Sequence, residues 1–72
     1  RHRRMEWNVN VDGVDKKIEL PNGSTSEDLL KAFEIHPDGA LVLQEGEVLV
    51  PVPLKTKLPD ADIRIVLVAS GG

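Results

Sequence analysis

The feature that most restricts the fold of this chain is an uninterrupted alternation of apolar and polar residues from Met5 to Val11. Successive side chains of a β-strand point to opposite faces, so this pattern predicts a strand with one buried face. That face consists of Met5, Trp7, Val9 and Val11. A sheet must therefore form part of the fold, and another element must cover its apolar side.

The next segment predicts the second half of a hairpin. Asp12-Gly13 tolerates the positive φ angles of a tight turn, and alternation resumes from Lys16 to Leu20 with Ile18 and Leu20 on the apolar side. The first two strands are therefore expected to pair in antiparallel fashion.

A helix is predicted after Pro21-Asn22-Gly23. Hydroxyl residues followed by acidic ones are typical of a helix N-terminus, so the helix is expected to begin at Thr25 or Ser26. Its expected length is about three turns, ending in the segment from Ile35 to Gly39. The apolar stripe that would cover the hairpin consists of Leu29, Leu30, Ala32 and Phe33.

Three extended segments fill the second half of the chain. A strand is predicted from Ala40 to Gln44, and a short returning strand from Glu47 to Val50, which the following prolines confine to a sheet edge. The last strand, from Asp62 to Ala69, is apolar enough to be central. Its predicted inward residues are Ile63, Ile65 and Leu67, with Arg64 marking the outward face.

The order of elements predicts an α+β fold in which a mixed sheet of four or five strands packs on one main helix. The first and last strands are expected to lie side by side as a parallel pair, which is a β-grasp arrangement. The expected domain spans residues 5–69, followed by a glycine-containing tail at residues 70–72. Residues 1–4, Arg-His-Arg-Arg, are expected to be a cloning remnant or a flexible arm.

Charge and composition narrow the function classes. Nine basic residues stand against 12 acidic ones, and three of the basic residues fall within the first four positions, so the domain itself is acidic. This argues against nucleic acid as the main partner and suits a protein with a basic surface. No window approaches the roughly 18 apolar residues of a membrane span. We expect a cytoplasmic monomer that contacts no membrane.

Catalytic and metal-binding constellations are not evident. The chain has no cysteine, and the one histidine inside the expected fold, His36, precedes a proline in a loop. The hydroxyls of Ser24, Thr25 and Ser26 are better explained as helix caps. One histidine and scattered carboxylates do not supply a metal's ligands. We therefore expect neither an enzyme nor a bound cofactor.

The last two residues, Gly71 and Gly72, suggest a different chemistry. A carboxylate on a glycine pair has no side chains to obstruct a narrow channel in another protein. Because a carboxylate is inert to nucleophiles at neutral pH, it requires activation, most economically as an adenylate made from ATP. The domain shows no nucleotide site, so the activating enzyme would be a separate protein and Gly72 its substrate.

Three segments carry a resemblance to a known family. They are Ala40 to Leu49, Leu58 to Ile65, and Val66 to Gly72. Together they resemble the C-terminal half of sulfur carriers of the ThiS/MoaD type and of small archaeal ubiquitin-like modifier proteins. The family has an NGE motif, and this chain has Gln44-Glu45-Gly46-Glu47 there, so the asparagine is replaced. In the later motif this chain has Asp60-Ala61-Asp62, so Ala61 replaces the central glycine. The resemblance implies a ubiquitin-like β-grasp fold.

The resemblance also implies roles for individual residues. Gly72 would carry the carboxylate that becomes an adenylate and then a thiocarboxylate, and Gly71 would give clearance. The implied partners are an adenylating enzyme of the ThiF, MoeB or ubiquitin-activating type, which uses ATP, a sulfur donor, and a downstream synthase or target protein. An apolar patch of Leu43, Val66 and Val68 on the outer sheet face would dock the enzyme.

Three functional hypotheses follow. The first is a sulfur carrier for thiamin, molybdopterin or tRNA thiolation. The second is a protein modifier joined through Gly72 to lysines, and the third is a domain that only binds. The first two share activation at Gly72, which the third does not need. For a modifier, the candidate acceptors are Lys16, Lys17, Lys31, Lys55 and Lys57.

Overall fold

A computed structural model describes residues 3–68 of the chain as one five-stranded mixed sheet and one α-helix. The elements are β1 (Arg4–Val11), β2 (Val14–Pro21), α1 (Ser26–Ala32), a 3₁₀-helix (Pro37–Gly39), β3 (Ala40–Gln44), β4 (Val50–Pro51) and β5 (Ile63–Leu67). The strand order is β2-β1-β5-β3-β4, with β1 parallel to β5 and the other pairs antiparallel. The α+β class and the parallel pairing of the first and last strands are confirmed.

The β1–β2 hairpin forms around the predicted turn. Asp12 and Gly13 have φ angles of 50° and 87°, which a two-residue hairpin loop requires. The Gly13 N–H donates to Oδ1 of Asn10 at 3.0 Å. β2 begins at Val14, two residues earlier than predicted, because the register pairs it directly with Val11 across the turn.

Helix α1 begins as predicted, with Thr25 as its N-cap. The Asp28 N–H donates to Oγ1 of Thr25 at 3.2 Å, and the Thr25 N–H donates to Oδ2 of Asp28 at 3.0 Å. These two reciprocal bonds form a capping box, which satisfies backbone donors that would otherwise lack a partner at the helix start.

The predicted length of α1 is wrong, because the helix has seven residues rather than three turns. Glu34 adopts a left-handed φ of 59°. Its N–H donates to the Lys31 carbonyl at 3.0 Å, and the Ile35 N–H donates to the Leu30 carbonyl at 2.8 Å, which is the Schellman pattern that closes a helix. Ala32 is exposed and does not belong to the buried stripe.

We expect Glu34→Gly to stabilise the fold by about 0.5–1 kcal/mol, because glycine adopts the left-handed conformation without the steric cost that a Cβ imposes. Urea unfolding followed by tryptophan fluorescence measures the change. Lys31→Gly is the matched control, since the same residue inside the helix is expected to cost about 1 kcal/mol. If both variants lost the same free energy of unfolding, this role of Glu34 would be contradicted.

The capping box also makes stability depend on pH. The Thr25 N–H that donates to Asp28, together with its hydroxyl and Lys31, lowers the pKa of the Asp28 carboxyl below its usual value. A depressed pKa in the folded state stabilises it above the unfolded pKa, and this stabilisation is lost as pH falls through the folded pKa. We therefore expect Asp28→Asn to flatten the acid limb of a urea-midpoint profile below about pH 4. An unchanged acid limb would contradict this.

The buried core lies between α1 and one face of the sheet. Leu29 and Leu30 of the helix are fully buried, and the cluster also contains Trp7, Val9, Ala40, Val42, Val52, Leu58, Ile63 and Ile65. Nε1 of Trp7 donates to the Pro59 carbonyl at 2.7 Å, which ties the loop before β5 to the sheet. The predicted inward face of β1 and the burial of Ile63 and Ile65 are confirmed.

Two strand predictions differ from the structure. Leu67, expected to point into the core, is 44% exposed, because it is the last residue of β5 and the described elements leave that strand end uncovered. The short returning strand is Val50–Pro51 rather than Glu47 to Val50, and it pairs with only two residues of β3. Within residues 3–68 no helix has the length and apolar character needed to cross a membrane.

Candidate docking face

The sheet has an outer face, on the side away from α1, where β3 and β5 meet. The β3–β5 register places Leu41 opposite Val66 and Leu43 opposite Arg64. Directly opposite residues of an antiparallel pair project from the same face, so these four side chains lie together. The outward positions predicted for Leu43 and Val66, on the face of Arg64, agree with this register. We call Leu41, Leu43, Val66 and Val68 the outer patch.

The outer patch is open to solvent within the described chain. Leu41 is 55% exposed, Val66 38% and Val68 47%, while Leu43 is half-buried. The Val68 N–H donates to the Gly39 carbonyl at 2.8 Å, so the chain continues alongside β3 beyond the last residue of β5. Uncovered apolar clusters on small domains usually mark contacts with other molecules.

Leu41 is the most exposed member of the outer patch, and it was not predicted. The run Ala40-Leu41-Val42-Leu43 is apolar at every position, so both faces of β3 carry apolar side chains. That run was the available signal. Only the β3–β5 register shows that Leu41, rather than Leu43, faces Val66 directly.

Polar residues border the outer patch at the end of β3, where Glu45 follows, and on β1. Nη2 of Arg64 lies 3.3 Å from Oε1 of Glu45, an ion pair in which both side chains are partly exposed. Nε of Arg64 is buried and has no hydrogen-bond partner among residues 3–68. Farther along the same face, β1 presents Asn8 and Asn10. An apolar centre with a polar border is typical of protein interfaces.

An apolar groove of about 520 Å³ adjoins the outer patch and shares Leu41 and Val68 with it. The other lining residues are Pro37, Asp38, Ala40, Val42, Pro51, Val52, Pro53 and Leu54. The groove extends the apolar surface from the outer face around the part of β3 that β4 does not pair. A partner that covers the patch can therefore also fill the groove.

The five candidate acceptor lysines are all exposed and belong to different parts of the fold. Two of them make contacts. Nζ of Lys55 lies 3.4 Å from Oε1 of Glu27, and Nζ of Lys16 lies 5.9 Å from the centre of the Phe33 ring. The remaining three are Lys17, Lys31 and Lys57.

The hydroxyls and the histidine occupy structural positions. Oγ of Ser24 donates to the Pro21 carbonyl at 2.7 Å, and Thr25 caps α1. Ser26, expected as a cap, instead has a fully buried side chain whose Oγ finds no partner among residues 3–68. Nδ1 of His36 accepts the Asp38 N–H at 3.3 Å and caps the 3₁₀-helix. The described residues contain no cluster of three potential metal ligands.

The predicted reactive residues lie outside the described part of the chain. The predicted reactive residues are Gly71 and Gly72. Ala69 and Ser70 before them, and Arg1 and His2 at the other end, also lie outside the described part. The structure therefore describes the surface next to the tail and leaves the tail itself as a prediction.

No protein-family model matches the chain, and no curated protein matches it at a significant level of sequence similarity.

Proposed function

We propose that this chain is a ubiquitin-like sulfur carrier of the β-grasp fold, in which the carboxylate of Gly72 is adenylated and converted to a thiocarboxylate. Three features support the fold: the strand order β2-β1-β5-β3-β4, the parallel β1–β5 pair, and the α-helix α1 between β2 and β3. The outer patch supports a function in which another protein binds this domain.

The observation that carries the proposal is that the outer patch includes Val66 of β5 and Val68 directly after it, on the segment that leads to the glycine pair. Val68 is four residues before Gly72 in the sequence. Four residues span at most about 14 Å. An enzyme that binds the outer patch and reacts with Gly72 therefore has its reaction centre within that distance of Val68. Docking and reaction are thus confined to one end of the domain.

The proposed chemistry divides between two proteins. A Gly72 carboxylate oxygen attacks the α-phosphorus of ATP on the adenylating enzyme, forming the acyl-adenylate and releasing pyrophosphate. A sulfide from the sulfur donor then attacks the Gly72 carbonyl carbon and displaces AMP. The product differs from the starting carboxylate by one sulfur in place of one oxygen. This domain supplies the docking surface and the acyl group.

A protein modifier is the second candidate, and all five lysines of the chain are exposed, as acceptors of a further copy must be. In that case the nitrogen of a lysine amine attacks the activated Gly72 carbonyl and forms an isopeptide bond. Activation is the same in both cases, so the two functions are compatible. A domain that only binds would use the outer patch without any change at Gly72.

The decisive experiment measures intact mass after incubation with ATP, a sulfide source and the adenylating enzyme of the source organism. A gain of about 16 Da, localised to Gly72 by fragmentation, is expected. Because the reaction requires a free carboxylate there, the mass of the mature protein isolated from its source is measured first. No gain, with an enzyme that demonstrably activates another carrier, would overturn the proposal.

We expect Val66→Asp to lower kcat/KM for activation about thirtyfold, because a charge placed in the apolar centre of an interface must be desolvated without a partner. The loss should appear mainly in KM. Val14→Asp is the matched control, since Val14 is 56% exposed on β2, far from β3 in the strand order. If both variants are folded and Val14→Asp lowers kcat/KM as much as Val66→Asp does, docking through the outer patch is contradicted.

A further inference from the structure

The two edges of the sheet differ in how well they are protected from pairing with another strand. β4 is two residues long and contains Pro51, and proline and shortness both discourage further pairing. β2 is eight residues long and has proline only at its last position, Pro21. Within residues 3–68 no strand pairs with the outer side of β2. This edge is open.

The hydrogen-bond pattern shows which residues of β2 face the open edge. The Asn22 N–H donates to the carbonyl of Arg3, its opposite residue in the continued β1–β2 register, at 2.6 Å. Bonded and non-bonded pairs alternate along an antiparallel ladder, so residues at even positions of β2 bond to β1. Asp15, Lys17 and Glu19 therefore direct their N–H and C=O groups outward.

The charge of β2 favours approach by another copy of the same strand. The strand carries two acidic residues, Asp15 and Glu19, and two basic ones, Lys16 and Lys17, so its formal charge is zero. The whole chain has a net charge of −3. Two copies of β2 can thus meet without the repulsion that other acidic surfaces of the domain would impose.

Self-pairing about a two-fold axis is electrostatically favourable in one full-length register. An axis at Lys17 places that lysine opposite its own copy and Asp15 opposite Glu19, which are like charges. An axis at Lys16 places Asp15 opposite Lys17 twice, but it also brings two lysines together and shortens the overlap to residues 14–18. An axis at Ile18 places Lys17 opposite Glu19 twice, and the two Ile18 side chains meet. Opposite charges across a strand pair are stabilising, whereas like charges are destabilising.

We propose that two copies of this chain form a symmetric dimer through β2, antiparallel and with Ile18 at the two-fold axis. Lys17 and Glu19 would exchange four backbone hydrogen bonds across the axis, and the Asp15 N–H would donate to the Pro21 carbonyl of the second copy. The result is a continuous ten-stranded sheet. The outer patch lies on β3 and β5 and stays free, so the dimer does not depend on the proposed activation of Gly72.

A charge swap tests the interface on the full chain by sedimentation, at concentrations up to about 1 mM because one strand pair gives a small contact. Lys17→Glu and Glu19→Lys each replace two attractive pairs with two repulsive ones, so each is expected to weaken dimerisation about tenfold or more. The double variant restores the pairs and should recover the wild-type constant to within about threefold. Lys57→Glu, the same change outside β2, should have no effect.

Engineered disulfides test the register, since the chain has no cysteine. Ile18→Cys places two thiols opposite each other at the axis in a non-bonded pair, where Cβ atoms are close enough for a disulfide. Mild oxidation should therefore give a covalent dimer. Val14→Cys, on the same face but away from the axis, should give at least about tenfold less covalent dimer. A wild-type monomer at the highest concentration, or equal cross-linking by both variants, would overturn the proposal.

Discussion

Deletion of Gly71 and Gly72 is expected to abolish the mass gain on activation. The shortened chain ends in the Ser70 carboxylate, which falls about 7 Å short of the position that Gly72 reaches from the docked outer patch. Serine also brings a side chain into a channel that glycine enters without obstruction. The free energy of unfolding should change by less than about 0.5 kcal/mol, because the shortened chain keeps all ten buried apolar residues of the described cluster, from Trp7 to Ile65.

The matched control removes the same number of residues from the other end of the chain. A variant lacking Arg1 and His2 should gain the full mass, since β1 begins after them at Arg4. Intact-mass spectra of both truncations under identical conditions make the comparison. If the chain that lacks Gly71 and Gly72 still gained about 16 Da, the reaction would occur at another residue, which would contradict the role of Gly72.

Leu30→Ala is expected to cost about 3 kcal/mol of stability. Leu30 is fully buried between the helix and the sheet, and its truncation removes apolar contacts and leaves a cavity. A domain of 72 residues has a total stability of roughly 4–11 kcal/mol, so this single change removes a large part of it. Urea unfolding monitored by Trp7 fluorescence measures the loss.

Leu41→Ala provides the same chemical change at an exposed site. Leu41 is 55% exposed, so its truncation should cost less than about 1 kcal/mol. A loss at Leu41 as large as that at Leu30 would mean that the outer patch contributes to the core. The same variant should nevertheless weaken activation, which separates the folding role of Leu30 from the binding role of Leu41.

Local rules predicted much of this fold from the sequence. Alternation alone identified the buried face of β1, because a two-residue period leaves no choice of face once Trp7 is inside. Asp12-Gly13 predicted the hairpin turn, and the hydroxyl residues followed by acidic ones at 24–28 predicted the helix start, since both signals act within a few residues. Arg64 indicated the outward face of β5 and hence the exposure of Val66.

Features that depend on partners distant in sequence were less accessible. Leu41 faces Val66 only through the β3–β5 register, which joins segments 25 residues apart. The helix ends at a left-handed Glu34, and a glutamate carries no signal for that conformation. β3 and β4 pair over only two residues. The position of this pairing depends on the path of the loop that connects the two strands, which local sequence rules do not predict.

The central place of β5 has a consequence for how the protein matures on the ribosome. β5 follows every other described element in the sequence, yet it lies between β1 and β3 in the sheet. During synthesis the β1–β2 hairpin and the β3–β4 pair cannot join into one sheet until β5 emerges, because β5 is the strand that lies between them. A nascent chain therefore cannot display the complete outer patch to an enzyme until Val66 and Val68 have left the ribosome.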